Sequence, residues 1–569
     1  HNPLRGRLTR NLIYSTKPNT GKLQLSSGEE YRVNIRTLAV KQKKLKNFIL
    51  NKTDDTHCQI IHKSGLKEVL SLRKGVYVPS QITAPDGRTL TFTWDSSFTP
   101  ARLSRVTDGE GSVLFSVSYP DGAVASTKFS LLPDDIEAGY NMIFRFKDEH
   151  LISVTSQSFE PALVWTFDYD DVGPGSSYRA LTSLTFPTGK KEKVSYYSDS
   201  GMAFPENAGL PDLPCVHRHT VTPGNGQPQT VTLWNWTQYN YLGKDAGLNQ
   251  WQPDTDQMLN ILLIGYIYGS TAKVMDTDGS TVLNTVTRRY NSYHLLVSET
   301  ILRHDKTFST TMEYHARPGV KFEMQPEQYA LPAVQTESWS DDSGAAPRTR
   351  VTLTQFDKSG NPLRQETPEG TVTDYVYYPA EGDGDACPAD PDGFVRWLKS
   401  KTVTPPKIRG DEPVSVTVTT WKKLSTPNGD GYTLVSDKVV QKTGGTRSEV
   451  ARAYYSDSGD TLTYAREKSQ TTTLIPDITR ADSYTSRRDF TYQITGEGLS
   501  QEETFTGHDR VTVSRSTLSH KYTGLVLSET DAQNVTVTYT YDKIGRPLTQ
   551  TVARGTPYEN VCCWTYALE

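Results

Sequence analysis

The stretch YTYDKIGRPLTQTV, from Tyr539 to Val552, resembles an earlier stretch of the same chain, LTQFDKSGNPLRQET, from Leu353 to Thr367. In both, an aromatic residue precedes Asp-Lys, and Gly and then Pro-Leu follow at the same spacing. Before the Asp of the later stretch, β-branched and aromatic residues alternate with Thr, a period of two that predicts a strand. Asp and Gly supply turn chemistry, and Pro can begin a return strand where no backbone donor is needed. Each stretch is therefore predicted to be a β-hairpin.

Weaker copies of this pattern recur along the chain, and YYSDSG is identical at Tyr196–Gly201 and Tyr454–Gly459. Their spacing is loose, which argues against a propeller or a helical solenoid of fixed repeat length. Long amphipathic helical patterns are scarce, and FVRWLKSK, from Phe394 to Lys401, could be one or two helical turns or another strand. Serial hairpins without helices must pair with one another, so the sequence predicts an all-β fold of hairpins in one curled, single-layer sheet.

Composition agrees with a thin structure. The chain has 569 residues, of which 35% are hydrophobic, 10% aromatic and 22% charged. The hydrophobic share is low for a large globular protein, while the aromatic share is too high for disorder. Tyr suits a wall one sheet thick, because its ring packs across strands while its hydroxyl reaches water. In the last hairpin, alternation places Val535, Val537, Tyr539 and Tyr541 on one face, and Thr536, Thr538 and Thr540 on the other.

Several classes of protein are disfavoured. The net charge of −4 provides no basic field for nucleic acid or an anionic membrane. The longest apolar run, Met258–Gly269, is too short to span a bilayer. Five Cys in so long a chain do not make a disulfide scaffold. The first residues have neither an initiator Met nor an apolar signal core, and the last resemble the first strand of another hairpin, so we expect a chain trimmed at both ends.

The hairpins resemble the YD repeats of the RHS family, which are named after a Tyr-Asp pair. The matching residues are Tyr541, Asp542 and Gly545, then Phe356, Asp357 and Gly360, and, in a degenerate copy, Trp94 and Asp95. Further stretches, NPLRGRL, LSSGEEYRV, HKSGLKEVL and YYPAEGDGDACPADPDGFVRWLK, resemble the shell region of large bacterial RHS toxins, both polymorphic toxins and insecticidal complexes. Gly360 and Gly545 should occupy equivalent turn positions, with positive φ in at least one.

The resemblance implies a hollow cocoon that encloses a C-terminal toxin domain. Residues 1–75 would be a lead-in β segment, and residues 76–569 a spiral shell that is incomplete at its C-terminus. Family shells close with a motif containing Asp-Pro, and ADPDGF, from Ala389 to Phe394, lies mid-chain, where it is interpreted as a turn. The implied partners are the toxin domain, the remaining shell segments and components of a secretion system or toxin complex. The implied location is outside the producing cell, after assembly in the cytoplasm, and no cofactor is implied.

Two clusters of side chains are compatible with a metal. Cys215, His217 and His219 alternate, so a strand would place them on one face, although no fourth ligand can be named. Four carboxylates share one loop, namely Asp383, Asp385, Asp390 and Asp392. Their spacing is not that of an EF-hand. An ordinary strand and a solvated turn are favoured over metal sites in the two cases.

Three functions remain for the structure to weigh. An encapsulating shell without catalytic activity is favoured, since no GxSxG, HExxH, Walker or dinucleotide motif is present. A β-rich module that binds glycans or a cell surface is the alternative, because Trp234 and Trp236 could stack on sugars. A hydrolase is third.

The adjacent Cys562 and Cys563 should point to opposite sides of a strand, and the segment VCCWTYAL should present an unpaired edge.

Overall fold

The computed structural model describes residues 13–17, 20–25, 28–34, 36–120, 125–248, 251–252, 256–261, 265–277, 279–407, 410–427, 431–496 and 498–567. In these residues the chain forms one sheet of 38 strands, with four single-turn 3-10 helices and no α-helix. The expectation of an all-β fold built from serial hairpins is confirmed.

The first nineteen strands are β1 Ile13–Lys17, β2 Thr20–Gln24, β3 Glu30–Val33, β4 Phe48–Lys52, β5 His57–His62, β6 Lys67–Arg73, β7 Val76–Thr83, β8 Thr89–Asp95, β9 Arg102–Asp108, β10 Val113–Ser118, β11 Ser126–Leu131, β12 Tyr140–Lys147, β13 His150–Ser156, β14 Leu163–Val172, β15 Tyr178–Thr185, β16 Lys191–Tyr196, β17 Val216–Thr222, β18 Thr230–Trp236 and β19 Tyr268–Met275.

The other nineteen are β20 Val282–Tyr290, β21 Leu296–Arg303, β22 Lys306–Tyr314, β23 Pro332–Asp341, β24 Arg348–Phe356, β25 Pro362–Glu366, β26 Val372–Tyr377, β27 Leu398–Thr404, β28 Ser415–Ser425, β29 Tyr432–Thr443, β30 Thr446–Tyr454, β31 Glu467–Ile475, β32 Tyr484–Thr495, β33 Gly498–Thr506, β34 Thr512–His520, β35 Val526–Thr530, β36 Thr536–Tyr541, β37 Pro547–Val552 and β38 Asn560–Cys563. The 3-10 helices are Pro174–Ser176, Glu206–Ala208, Gln257–Asn260 and Phe322–Met324.

The topology is a long meander. From β4 to β38 each strand pairs antiparallel with the next one along the chain. Strand β1 pairs with β2 and also with β7, so the first hairpin joins the sheet beside the beginning of β7. The segment Phe394–Lys401, which could have been a helix, instead leads into β27. No helix in the described ranges is long and apolar enough to cross a membrane.

The largest apolar cluster lies near the N-terminus, between β2 and β6. Its buried members include Leu23, Val33, Phe48, Ile60 and Leu70. Later clusters contain only three or four buried residues each. The sheet therefore has a thick region at its beginning and a thin wall over the rest of its length.

Surface area supports the same conclusion. The solvent-accessible surface is 31698 Å², whereas a compact protein of 63.5 kDa would expose roughly 20,000 Å². Along β24 the side chains of Thr349, Val351 and Leu353 are exposed, while those of Arg350, Thr352 and Thr354, which alternate with them, are half-buried. Neither face is continuously dry, as expected of a single-layer sheet.

The face assignment of the last hairpin is confirmed. The rings of Tyr539 and Tyr541 stack with their centroids 6.5 Å apart, so they share a face. On the opposite face, the Thr540 hydroxyl lies 2.7 Å from that of Thr549 on β37, with which it is paired. Strand β38 pairs only with β37 among the described strands, and its four residues are exposed, as predicted for an unpaired edge.

The sheet curls until hairpin turns far apart in sequence meet side by side. Glu110 forms an ion pair with Lys521, and Asp135 lies 2.9 Å from His520. Farther back, Lys63 donates to the Ser359 carbonyl at 2.7 Å. Each such contact joins an earlier residue, between positions 42 and 159, to a later residue, between positions 256 and 546. Along the series the later residue moves forward in the sequence as the earlier one does. We call this line of contacts, between residues 42–159 and 256–546, the seam; it joins one revolution of the sheet to the next.

Candidate functional site

The hairpin turn around Asp542 has a defined hydrogen-bond pattern. The backbone N–H of Asp542 donates to the Arg546 carbonyl at 2.9 Å, and Gly545 N–H donates to the Asp542 carbonyl at 3.0 Å. The Asp542 carboxylate then accepts from the backbone N–H groups of Ile544 and Arg546. Gly545 has a φ of 83°, a left-handed conformation that costs glycine no strain.

The turn at Asp357 repeats this geometry. Its carboxylate accepts from the backbone N–H groups of Ser359 and Asn361, both at 2.8 Å. Gly360 has a φ of 78°, so the prediction of positive φ is confirmed at both glycines. In each turn the fifth residue also reaches back to the Asp, through the Asn361 amide here and the Arg546 guanidinium in the later turn.

Three more turns share the pattern, and sequence reasoning missed them. They begin at Asp108, Asn291 and Asp531, whose side chains each accept from the backbone two and four residues later. The left-handed position is Gly111 in the first, but His294 and Asn534 in the others. An Asp or Asn at the first position was the usable signal, because its side chain stabilises the turn whether or not Gly follows.

Trp94 and Asp95 are not equivalent to the other motif residues. Strands β8 and β9 are joined by a longer connection, and Asp95 accepts from Ser97 N–H without closing a five-residue turn. Trp94 nevertheless uses its indole N–H, which donates to the Pro79 carbonyl at 2.6 Å. The aromatic residue that precedes Asp357 also differs from Tyr541. Phe356 has no hydroxyl to donate, and its ring contacts His315 edge-on.

The hydroxyl of Tyr541 identifies a second recurring feature. It donates to the Val526 carbonyl at 2.7 Å. Val526 lies on the neighbouring strand β35, immediately beside a shift in its register with β34. Such a shift is a β-bulge, which leaves a backbone group outside the regular ladder. The tyrosine thus supplies a donor to a carbonyl at the irregular position.

Among the described residues the same contact occurs at ten bulges, with donor–acceptor distances of 2.6 to 3.1 Å. The pairs of donor and acceptor residue are Trp94–Pro79, Tyr119–Leu103, Tyr196–Leu181, Trp236–Val216, Tyr314–Leu296, Trp421–Leu398, Tyr454–Ser436, Tyr492–Glu467, Tyr541–Val526 and Tyr566–Pro547. In each pair the acceptor is beside a register shift and the donor comes from the next strand or the residues that follow it.

We call these ten contacts the aromatic ladder. Several rungs are connected, because Trp421 donates to one bulge and lies opposite the next one at Ser436. Tyr454 then donates to Ser436 and lies opposite the bulge at Glu467. Burial raises the pKa of Tyr454 and of Tyr541, so their hydroxyls keep their protons and remain donors at neutral pH. At these ten places the ladder links a strand to the irregular position of the strand before it.

The Cys215, His217 and His219 cluster does not converge. Cys215 is buried, the His217 ring packs at a tilt against Tyr197 with centroids 4.5 Å apart, and His219 lies 3.2 Å from the Glu192 carboxylate. Nowhere in the described part of the chain do three or more His, Cys, Asp or Glu side chains come together as metal ligands would.

The carboxylates of the 383–392 loop are held by cations and by the backbone. Asp390 is buried, and it accepts from the Arg396 guanidinium at 2.6 Å and from the Trp397 indole at 2.7 Å. Asp392 pairs with Lys67 from the N-terminal region at 3.0 Å, and Asp383 pairs with Lys399 at 2.7 Å. Asp390 also closes the turn at ADPDGF, where it accepts from Phe394 N–H. This loop is thus a structural part of the seam.

The two tryptophans considered for glycan stacking share a face. Their rings stack at 5.9 Å, and Trp236 is 37% exposed. The indole N–H of Trp236 is already used in the aromatic ladder, so one polar group that could orient a sugar is occupied. An open groove of about 700 Å³ crosses strands β14 to β17 and is lined by side chains of both charge signs, including Asp168, Asp170 and Lys193.

Comparison with known proteins identifies the hairpin at the end of the chain. Residues 522–557 match the RHS repeat family, and this segment contains Tyr541, Asp542 and Gly545. No protein of curated function matches the sequence.

Solved structures of toxin complexes also match. A Photorhabdus luminescens Tc holotoxin pore with a mutation in TccC3 matches at 10% identity and a TM-score of 0.31, over 95% of this chain and 27% of that one. A TcdB2–TccC3–TEV crystal structure matches at 12% identity and a TM-score of 0.31, with the same coverage. This chain spans about a quarter of the length of those structures. The chain carries an RHS repeat at residues 522–557, in a sheet of serial hairpins whose turns and bulges repeat the chemistry of that segment.

Proposed function

We propose that this chain is a segment of a curved protein wall that encloses a polypeptide, as part of an exported RHS toxin. The enclosed polypeptide would be a toxin domain. Further shell segments, and components of a secretion system or toxin complex, would be its partners. The chain itself would provide containment and no catalysis.

The observation that carries this proposal is a thin sheet that curls into successive revolutions. The accessible surface is about one and a half times that of a compact protein of this mass. A wall one sheet thick has such a surface, because solvent reaches both of its faces. The seam joins revolutions through side chains, so the curvature is fixed by the chain's own contacts. At ten positions the aromatic ladder joins neighbouring strands where no continuous core lies behind them.

The alternating exposure along β24 indicates which face is concave. Side chains converge on the concave side of a curved sheet and diverge on the convex side. Thr352 and Thr354 are half-buried although they are small, while the larger Val351 and Leu353 are 39% and 41% exposed. We therefore assign the Thr352 face to the interior.

A cysteine-labelling experiment tests the enclosure. Cysteine is placed singly at positions 351, 352, 353 and 354, in a background in which the exposed Cys562 and Cys563 are Ser. A small maleimide should label all four variants. A bulky polyethylene glycol maleimide should label V351C and L353C and react slowly with T352C and T354C. Equal labelling of the four by the bulky reagent would refute an enclosing wall.

Glycan binding through Trp234 and Trp236 is the second candidate, since the stacked pair is partly exposed. A glycan array probed with the purified chain tests it. Specific binding that is lost in W234A, with the fold retained, would favour this function. A wall that only encloses a polypeptide should bind none of the glycans.

A further inference from the structure

The seam has two halves of different chemistry. In its first half, residues 42–67 contact residues 256–396, mainly through lysine side chains that donate to backbone carbonyls. Lys44 donates to Glu323 and Gln325, Lys46 to Gly393, and Lys63 to Ser359. Carbonyl acceptors are neutral, so these contacts depend little on ionic strength.

The first half also contains a buried network of charged side chains. The side chain of Asp390 is fully buried, that of Asp392 is 6% exposed and that of Arg396 is 11% exposed. Arg396 donates to the Lys63 carbonyl across the seam, and Lys67 pairs with Asp392. This half lies beside the largest apolar cluster of the chain. Buried, hydrogen-bonded charges of this kind are costly to separate.

The second half, where residues 88–159 contact residues 461–546, is held by an exposed ion pair, a His–Asp contact and a lysine–carbonyl contact. Glu110 is 53% exposed and forms the ion pair with Lys521 at 3.0 Å. His520 lies 2.9 Å from Asp135, and the side chains of these two residues are only 10% and 14% exposed. Lys543 donates to the Ile136 carbonyl at 3.2 Å, and both groups are exposed. Exposed ion pairs are weak and are screened by salt.

No strand ladder crosses the seam in the part of the chain that is described. Successive strands within the sheet are joined by backbone hydrogen bonds, whereas the revolutions meet through side chains. In the second half, the residues in contact are separated by between 351 and 411 positions in the sequence. Separation along the second half would therefore break no backbone pairing.

We propose that the wall opens along the second half of the seam, while the first half acts as a fixed hinge. Opening would part the turns at Glu110, Asp135 and Ile136 from those at Lys521 and Lys543, and leave the sheet itself intact. The inference concerns the chain alone and does not require an enclosed polypeptide. If the chain is a wall, the second half is the line along which its contents would be reached.

Distance measurements between spin labels test the proposal on the full chain. One pair, E137C and I544C, spans the second half, and the other, S64C and K358C, spans the first; all four residues are exposed. The exposed Cys562 and Cys563 are again replaced by Ser. Raising salt to about 1 M, where the Debye length is about 3 Å, should lengthen and broaden the first distance and leave the second unchanged.

Charge variants make the test specific. K521E places two carboxylates together and should open the second half at low salt, and adding E110K should restore the short distance. The control is R179E, which breaks the similarly exposed pair with Asp171 inside the β14–β15 hairpin, away from the seam contacts, and should leave both distances unchanged. A distance between positions 137 and 544 that responds to neither salt nor K521E would overturn the proposal, as would equal movement of both halves. Failure here would leave the labelling pattern along β24 unaffected, so the two proposals fail separately.

Discussion

The hydroxyl of Tyr541 lies 2.7 Å from the carbonyl oxygen of Val526, beside the point where the pairing of β34 and β35 shifts register. This relationship explains why an aromatic residue with a polar tip precedes the turn. The ring packs on the sheet and the hydroxyl binds a carbonyl that the irregular ladder leaves available. Because the contact is found at ten bulges among the described residues, the aromatic ladder is a recurring feature of this chain.

Removal of the Tyr541 hydroxyl should destabilise the last hairpin. We expect Y541F to lower the free energy of unfolding by about 1 kcal/mol, since the Val526 carbonyl loses its donor while the ring remains. Urea unfolding followed by circular dichroism measures the change. The control is Y558F, because Tyr558 is 84% exposed and lies outside the ladder. Equal stability of Y541F and Y558F would show that the hydroxyl contributes nothing.

The left-handed turn position should tolerate Asn better than a β-branched residue. We expect G545V to cost about 1–2 kcal/mol, because a β-carbon is strained at positive φ. A β-carbon would meet only the Leu525 side chain, at 3.5 Å, so the cost is backbone strain and not a clash. G545N should cost less, as Asn534 already holds the equivalent position with a φ of 62°. Thermal unfolding of the two variants in parallel tests this order, and equal loss in both would contradict it.

Local patterns predicted the hairpins well and the bulges poorly. Alternation around Tyr541 and the Asp-Gly turn involve residues close in sequence, so their conformation could be derived from spacing alone. A bulge such as that beside Val526 is a relationship between two strands, and no single strand pattern specifies it. A donor such as Tyr541, 15 residues after its acceptor, was the available signal.

The seam could not be predicted from local sequence. Its contacts join residues such as Glu110 and Lys521, and nothing in either hairpin indicates the other. The acidic loop illustrates the same limit, because the partner that buries Asp392 is Lys67, from the other revolution. Curvature accumulates over many strands, so small differences in twist decide which turns meet.

Acid should remove the contribution of the Asp542 carboxylate. Burial raises the pKa of Asp542, but hydrogen bonds from the Arg546 backbone and side chain outweigh this effect and bring the pKa below its ordinary value. Because the pKa is lower in the folded state, the carboxylate stabilises the fold at pH values above its unfolded pKa of about 3.9. This stabilisation is lost as the pH falls through the pKa of the folded state. D542N keeps an acceptor for the turn but loses the charge. The free energy of unfolding of D542N should therefore fall short of the parent's near neutral pH, and the difference should shrink as the pH falls below about 3.9. A deficit independent of pH would exclude the ionised carboxylate as its source.

The free edge of β38 should make the 569-residue chain associate. Val561 is 49% exposed on a strand whose outer backbone groups are unpaired among the described residues. A charge on an edge strand discourages pairing with another edge. We expect V561K to reduce concentration-dependent association in sedimentation velocity, and Y558K, in the preceding turn, to leave it unchanged. Association that persists equally in both variants would place the contact elsewhere.

Small-angle X-ray scattering tests the central claim, a curled wall in place of a solid body, most directly. A compact globule of 569 residues has a radius of gyration of about 25 Å, and a wall with the observed surface should exceed that value. The measurement is made at low concentration, with V561K as the monomeric reference. A radius above the compact value, with a distance distribution shifted to long distances, is the result that this account predicts. A radius at the compact value would contradict it.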